Sequence, residues 1–295
     1  MGTTIIKPLH APMFASGIRE DLYDMAKNVM MIGNKKYTME LFNENADYDT
    51  NSNKALNKYI KLNFLYALYK STSESLGLFK NVMVGLPAKQ WEKDSVVQQY
   101  KDALNISDSV VVSVNGISKE IYVEEILVVP EDMPSYYALE TNNERFNGDR
   151  TLLVGIGSFN SNQYLFENDE YIDFESNEKG CLKVFQKMAS EINAEYNTDI
   201  KTEQIYTILT KGLFINGERV PIASIIDEIG YEYAKDFHRT LKLRWDVKTI
   251  PFIELLGGGS IVLNKYIKEY IPHVELLPNA QTIAVKGMEE LLRMC

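Results

Sequence analysis

The sequence predicts an α/β protein built in two consecutive halves, and three observations lead there. Each half mixes short apolar runs of strand length with segments whose apolar residues recur at helical spacing. A polar stretch rich in Asn, Glu and Arg, Thr141 to Arg150, separates the halves. Near the end, Phe252-Ile-Glu-Leu-Leu-Gly-Gly-Gly-Ser-Ile261 is an apolar run broken by three glycines and followed by a helix-like pattern. The run reads as a buried strand, and its glycines allow positive φ and the close approach of a flat or anionic ligand. Ser260 falls where a helix N-cap is expected, so its hydroxyl and the N–H groups behind it would face the same ligand. Three glycines also suit a plain tight turn, and the segment alone does not choose.

In the first half, Val29 to Ile32, Gly33 to Lys36 and Tyr37 to Leu41 read as strand, turn and strand. Asn43 to Asn53 is loop-like. Lys54 to Tyr69 carries Leu56, Tyr59, Ile60, Leu62, Phe64, Leu65, Ala67 and Leu68, an apolar pattern broad enough for a well-buried helix. Asn81 to Pro87 is a short strand ended by Gly and Pro. Val110 to Val114 and Ser118 to Val123 flank Asn115-Gly116, the dipeptide that suits a type I′ hairpin turn. Ile126 to Val129 is a further strand, stopped at Pro130.

The second half opens with Leu152 to Ile156, a buried strand running into the turn Gly157 to Asn160, then the strand Asn162 to Phe166. Gly180 to Ile192 is a helix with Leu182, Val184, Phe185, Met188, Ala189 and Ile192 on one face. Thr202 to Thr210 and Ile222 to Leu243 read as helices, and the triple-glycine strand follows. The chain closes with Ala280 to Arg293, where Gly287 is expected to precede a short amphipathic helix.

Composition narrows the function classes. The 295 residues are enough for two ordinary domains, and 45% hydrophobic against 24% charged residues describe a soluble globular protein. With 31 basic and 41 acidic side chains the net charge is −10, which argues against a broad DNA-binding face. The two cysteines, Cys181 and Cys295, suggest neither a disulfide framework nor a zinc site and fit a reducing cytoplasm. No run approaches the roughly 20 apolar residues that span a bilayer. The first residues lack the layout of a secretory signal, and Gly2 lacks the Ser or Thr that myristoylation requires.

Few residues announce chemistry on their own. His10, His238 and His273 are scattered, with no second ligand at metal-binding spacing. Cys181 lies on the apolar face of its helix and reads as core. Walker and Rossmann glycine loops do not occur. Glu131, between Pro130 and Pro134, is a carboxylate held at a strand end, which suits either chemistry or a solvated acidic turn. Gly155-Ile-Gly-Ser158 is a turn whose N–H groups could meet phosphate oxygens, or a hairpin connection.

Taken in order, Asn81-Val-Met-Val-Gly-Leu-Pro87, Val128 to Tyr137, Leu152 to Ser158, Lys179-Gly-Cys-Leu182, Leu256-Gly-Gly-Gly-Ser260 and Pro278 to Met288 form a series spanning nearly the whole chain. This series resembles the actin-like ATPases of bacterial plasmid segregation, the ParM family, in the superfamily of actin, sugar kinases and heat-shock chaperones. The resemblance implies an actin-like (ribonuclease-H-like) α/β fold. Its lobes would be residues 1–148 and 149–279, with a nucleotide cleft between them, and residues 280–295 would form a C-terminal helix returning to the first lobe. It implies ATP or GTP with Mg2+ as cofactors. Glu131 would orient the attacking water, and Gly157 and Ser158 would cradle the terminal phosphates. Lys179, Gly180 and Lys183 would begin the helix on the adenosine side, and Gly257, Gly258, Gly259 and Ser260 would line the ribose and phosphates. The implied partners are further copies of the chain, head to tail in a filament, and a DNA-binding adaptor protein, with neither nucleic acid nor membrane bound directly.

Two departures qualify what is implied. The family begins with a strand-borne phosphate loop of Asp-x-Gly type, and Met1 to Lys7 contains none, as in a shortened or divergent member. The second phosphate loop normally carries an aspartate that holds the magnesium-bound water, and the aligned residue is Gly155. Without these aspartates no metal ligand can be named, since hard cations need anionic oxygen ligands. The expectation is therefore an actin-like filament subunit with impaired hydrolysis. The alternatives are a non-hydrolysing structural subunit or regulator, or a small-molecule kinase of the same superfamily.

Overall fold

The computed structural model describes residues 17–20, 28–41, 53–140 and 149–294. These fall into two compact units, one ending at Ala138 and joined by Ala284 onward, the other running from Leu139 to Ile283. Most of the candidate boundary segment, residues 141–148, lies outside the described residues, as do Met1 to Lys7.

The first unit contains strands β1 (Gly17–Glu20), β2 (Val29–Ile32), β3 (Lys35–Leu41), β4 (Leu76–Leu86), β5 (Val110–Val114) and β6 (Ile117–Pro130). Its helices are α1 (Ile60–Ser71), α2 (Ala88–Trp91), α3 (Asp94–Leu104) and α4 (Ser135–Glu140). The strands form one sheet in the order β1-β3-β2-β5-β6-β4. Asn115 and Gly116, with φ of 51° and 83°, make the tight turn between β5 and β6 that Asn-Gly favours. The edge strand β4 pairs in parallel with β6 from Leu76–Glu120 to Leu86–Pro130, so the two carboxyl ends finish side by side. Phe64, Leu65, Tyr66, Leu68 and Tyr69 of α1 are buried in a core with Val112, Val114, Ile121 and Val123 of the sheet.

Two elements differ from the sequence reading here. The helix expected from Lys54 is a 3-10 turn, Lys54–Leu56, with α1 starting only at Ile60. Asn57 takes an extended ψ of 117° and its side chain accepts from the Tyr59 N–H, which breaks the run. The two strands read as Ser118 to Val123 and Ile126 to Val129 are one strand, because the parallel pairing with β4 runs through Glu125.

The second unit contains β7 (Thr151–Ile156), β8 (Ser161–Glu167), β9 (Glu170–Asn177), β10 (Leu213–Ile215), β11 (Glu218–Val220), β12 (Phe252–Leu256) and β13 (Val274–Leu276). Its helices are α5 (Leu182–Tyr196), α6 (Ile205–Lys211), α7 (Ala223–Arg244) and α8 (Gly258–Tyr270). The five-stranded sheet has the order β13-β12-β7-β8-β9, with β7, β12 and β13 parallel and β8 and β9 antiparallel. All six residues of β7 are buried, as an unbroken apolar run in a covered sheet requires. Leu152, Val154 and Ile156 share a core with Ile253 and Leu255 and with residues of α5, α7 and α8.

The last helix, α9 (Ile283–Met294), contains Gly287 rather than following it, a correction to the expected boundary. The reason is contact. A Cβ at Gly287 would overlap the Pro134 carbonyl, so only glycine lets α9 rest on the turn that leads into α4.

Candidate functional site

The parallel strands β7 and β12 are neighbours, with Leu256 opposite Gly155, so the loops that leave their carboxyl ends emerge together. In open α/β sheets such adjoining ends are where ligands are bound. Gly257 turns the chain out of β12 at φ 87°, and its N–H donates to the Ala280 carbonyl at 2.8 Å. A Cβ on Gly257 would lie 2.6 Å from the Ile156 carbonyl oxygen, and one on Gly259 2.6 Å from Ile156 Cγ2 and 3.2 Å from Cys181 Cβ. The triplet is therefore small because the backbone is pressed against the end of β7 and the start of α5.

The expected role of Ser260 is corrected. Gly257 is the N-cap of α8, and Ser260 is the third residue of the helix, fully buried, its hydroxyl donating to the Leu256 carbonyl at 2.6 Å. The positive-φ glycine ends the strand three residues earlier than the Ser-based cap would. What faces outward at this end of α8 is the backbone of Gly257 and Gly258, which are half-buried. The first N–H groups of a helix have no partner within it, and they carry the positive end of its dipole.

The loop after β7 is closed by Gly157 N–H on the Asn160 carbonyl at 2.9 Å. Its carbonyls cap the segment entering α5: Gly180 donates to Phe159, Cys181 to Gly157 and Leu182 to Ser158, at 2.9 to 3.0 Å. A Cβ at Gly180 would collide with the Ser158 carbonyl, so this contact also demands glycine. The N–H groups entering α5, the helix expected on the adenosine side, are thus used inside the protein, as is the Gly157 N–H of the turn that the sequence suggested for phosphate. Gly157, Ser158, Gly180, Gly257, Gly258 and Gly259 are brought together around the end of β7.

Lys179 and Lys183 stand differently. Lys179 precedes α5, and its ammonium pairs with Asp236 of α7, while its carbonyl accepts from Tyr233 Oη at 2.8 Å. The hydrogen bond from Lys179 holds the Asp236 carboxyl below its ordinary value, against the effect of burial and with help from Arg239. Lys183 is the second residue of α5 and is exposed.

Glu131 belongs to the first unit, one residue past β6, its N–H donating to the Leu86 carbonyl at the end of β4 at 2.8 Å. Its carboxylate forms an ion pair with Lys54, and the same ammonium donates to the Gly85 carbonyl at 3.2 Å. Tyr100 Oη also donates to that carbonyl, at 3.4 Å. Desolvation alone would lower the Lys54 pKa, but Glu131 and, less strongly, Tyr100 and Asp132 raise it above the ordinary lysine value. The pair is only partly screened, since each side chain keeps about a third of its exposure, 35% and 31%. Sequence reasoning missed Lys54, because 77 residues separate it from Glu131 and nothing in its local spacing marks it.

The remaining chemical candidates are structural. Cys181 is buried at the N-cap of α5, and burial pushes its thiol up to about 12 despite an opposing backbone hydrogen bond. His273 Nε2 lies 3.1 Å from both the Val247 and Ile250 carbonyls, which suits a donor and not a metal ligand. Among the described residues no group of three or more His, Cys, Asp or Glu could hold a metal ion, and Gly155 sits inside β7 without a side chain to offer. The described residues therefore do not fit an aspartate-held magnesium ion. None of the described helices is long and apolar enough to cross a membrane.

No protein-family profile matches the chain, and no curated protein sequence matches it significantly. Solved structures do match. An archaeal actin homologue superposes with a TM-score of 0.77 at 15% identity, over 96% of this chain and 92% of its own. The same homologue in complex with ADP gives 0.76 at 15% identity, over 95% and 92%. A subunit of a 15-stranded ParM filament from Clostridium botulinum gives 0.77 at 13% identity, over 96% and 93%. Over nearly its whole length, then, this chain has the actin-like α/β fold of mixed sheets with flanking helices.

Proposed function

We propose that this protein is an actin-like, nucleotide-binding subunit that assembles head to tail into filaments serving the segregation of plasmid or other replicon DNA. The observation that carries the nucleotide reading is the packing of the Gly257–Gly259 turn against the end of β7. It leaves the backbone at the N-terminus of α8 open beside the Gly157–Ser158 loop, in a fold that an archaeal homologue uses to hold ADP. The filament reading rests on the match to a ParM filament subunit. A head-to-tail contact that does not close into a ring propagates without limit. Adenine nucleotide is the expected ligand, with GTP as the comparison. The link to DNA is assigned to a separate adaptor protein, in keeping with the −10 net charge.

Glu131 is assigned the orientation of the attacking water. Phosphoryl transfer of this kind depends on positioning and charge stabilisation far more than on covalent chemistry. Gly155, which offers no carboxylate at the position aligned with the family's aspartate, favours a second version of the same reading, in which nucleotide is bound and the subunit polymerises with little or no hydrolysis. One experiment addresses both. The purified protein is titrated with ATP, ADP, GTP and a non-hydrolysable ATP analogue by calorimetry, then sedimented and assayed for phosphate release. Polymer with ATP and with the analogue is the expected result, with phosphate release deciding between the versions. Absence of nucleotide binding would overturn the proposal.

A further inference from the structure

We propose that a cleft in the first unit, beside the start of α1, binds a small organic anion with a flat apolar body. The cleft holds about 670 Å³, within the roughly 300–1,000 Å³ of small-molecule sites. A protein partner would instead bury about 800 Å² on each side. Three stretches of chain wall the cleft: the β2–β3 hairpin, the segment from Lys58 into α1, and the start of β5 at Val110. No residue assigned above to nucleotide or water lines it. Lys35 and Tyr37 alternate onto one face of β3, and Lys58, Lys61, Leu62 and Leu65 recur at helical spacing. The floor is apolar and held by packing. Tyr37, Tyr59 and Leu65 are buried members of the first unit's core, and Ile32 and Leu62 pack against it. Such a floor is formed before a ligand arrives, so little binding energy goes into ordering it.

The rim is basic. Three of the nine lining residues are lysines and none is acidic, in a chain whose net charge is −10. The first turn of α1 adds no acidic residue to offset them. Lys61 donates to the Asn105 carbonyl at 2.7 Å, which leaves two of its three donors, and Lys35 has no side-chain partner among the described residues. The Lys58 ammonium lies 4.5 Å from the centroid of the Tyr59 ring. Tyr37 narrows the ligand further. It is only 7% exposed, yet its hydroxyl makes no hydrogen bond among the described residues. A buried hydroxyl left unsatisfied is costly, and a ligand oxygen would relieve it. An aromatic carboxylate or an aromatic phosphate monoester meets all three demands: a ring for the tyrosine and leucine floor, negative charge for the lysines, and an acceptor for Tyr37.

The test uses the full chain and anilinonaphthalene sulfonate, a fluorescent aromatic anion, with the neutral phenylnaphthylamine as comparison. The anion is expected to saturate one site, to bind about 10-fold or more tighter than the neutral compound, and to stay bound at saturating ATP. Lys35→Glu combined with Lys61→Glu is expected to weaken the anion by about 10-fold or more and to leave the neutral compound within about 2-fold. Lys35→Arg with Lys61→Arg is expected to keep the affinity. Both lysines are exposed, so an unchanged unfolding temperature is expected and checks that the fold is intact. Leu62→Trp, which fills the cleft, is expected to abolish binding of both compounds; if it folds poorly, the lysine variants still decide. Phenyl phosphate and benzoate are the displacing ligands, and displacement by either, with none by inorganic phosphate at the same concentration, supports the proposal and tells ester from carboxylate. Equal binding of the charged and neutral probes would overturn it, as would an anion affinity untouched by the double Glu variant. Displacement by inorganic phosphate would show that the lysines hold charge alone, and displacement by ATP would place the probe at the nucleotide site; either overturns the proposal.

Discussion

Gly257 lies against the Ile156 carbonyl so closely that a methyl group in place of its α-hydrogen would sit 2.6 Å from that oxygen. This contact joins the end of β12 to the end of β7, and the φ of 87° at Gly257 is one that L side chains rarely adopt. Gly257→Ala is therefore expected to be destabilised by about 1–3 kcal/mol, from strain and from displacement of the Ile156 backbone. Thermal unfolding checks the first effect. Calorimetry with ATP checks the second, a loss of nucleotide affinity, because the α8 N-terminus moves with the turn. Full affinity in a folded Gly257→Ala protein would remove this turn from the proposed site.

Gly155 is paired with Asn162 on β8 and with Leu256 on β12, within a wholly buried strand. Introducing a carboxylate there places an unpaired charge inside the sheet and costs stability unless a cation accompanies it. Gly155→Asp is expected to unfold at a lower temperature than wild type in EDTA and to regain part of the difference with Mg2+. If the missing anionic ligand is what limits turnover, phosphate release rises by about 10-fold or more in the same protein. A variant insensitive to Mg2+ in both measurements would disconnect this position from metal binding.

Acid stability follows from two ion pairs of the second unit. The hydrogen bond from Lys265, at 2.9 Å, lowers the Asp227 carboxyl below its ordinary 3.8, with Tyr266 Oη assisting at 2.8 Å and burial opposing. Lys179 does the same for Asp236. A depressed folded-state pKa contributes stability that is present above the unfolded value and lost as pH falls through the folded value. The unfolding temperatures of Asp227→Asn and Asp236→Asn should therefore lie below wild type at neutral pH and converge with it below about pH 4. Both pairs are partly exposed, so the differences should be small and should shrink with added salt. A gap that widened on acidification would contradict the assigned shifts.

The Cys181 thiol, pushed up to about 12 by burial, is protonated at the pH of ordinary alkylation. In a Cys295→Ser background, iodoacetamide should leave the native protein unlabelled and react fully only after unfolding, read by mass spectrometry. Rapid native labelling would mean that the start of α5 opens readily, contrary to the close contact between Gly259 and Cys181.

Much of the scaffold was legible because its signals are local. Asn115-Gly116 set a hairpin from two residues, the unbroken apolar run of β7 announced a covered strand, and the helical spacing of Leu182 to Ile192 marked α5 and its buried face. The ordered series of glycine and proline motifs pointed to the actin-like fold that the structure shows at only 13–15% identity to solved relatives. Where the reading slipped, the competing influence was contact with another segment. Gly287 resembles a helix breaker in isolation, yet it sits inside α9 because Pro134 lies against it. Ser260 resembles an N-cap, yet a glycine three residues earlier takes that place.

The sequence by itself determined which residues are small, apolar or charged along the chain, and hence the strands, the helices and the order of the glycine turns. Only the tertiary structure decided what those turns face. It spent the N–H groups entering α5 on the loop after β7, turned the Ser260 hydroxyl inward, and set Lys54 on Glu131 across 77 residues. The physical reason is range. Backbone propensity and hydrophobic periodicity act over a few neighbours, whereas the partner of a hydrogen bond or a charge is chosen by which distant segments packing brings within about 3 Å.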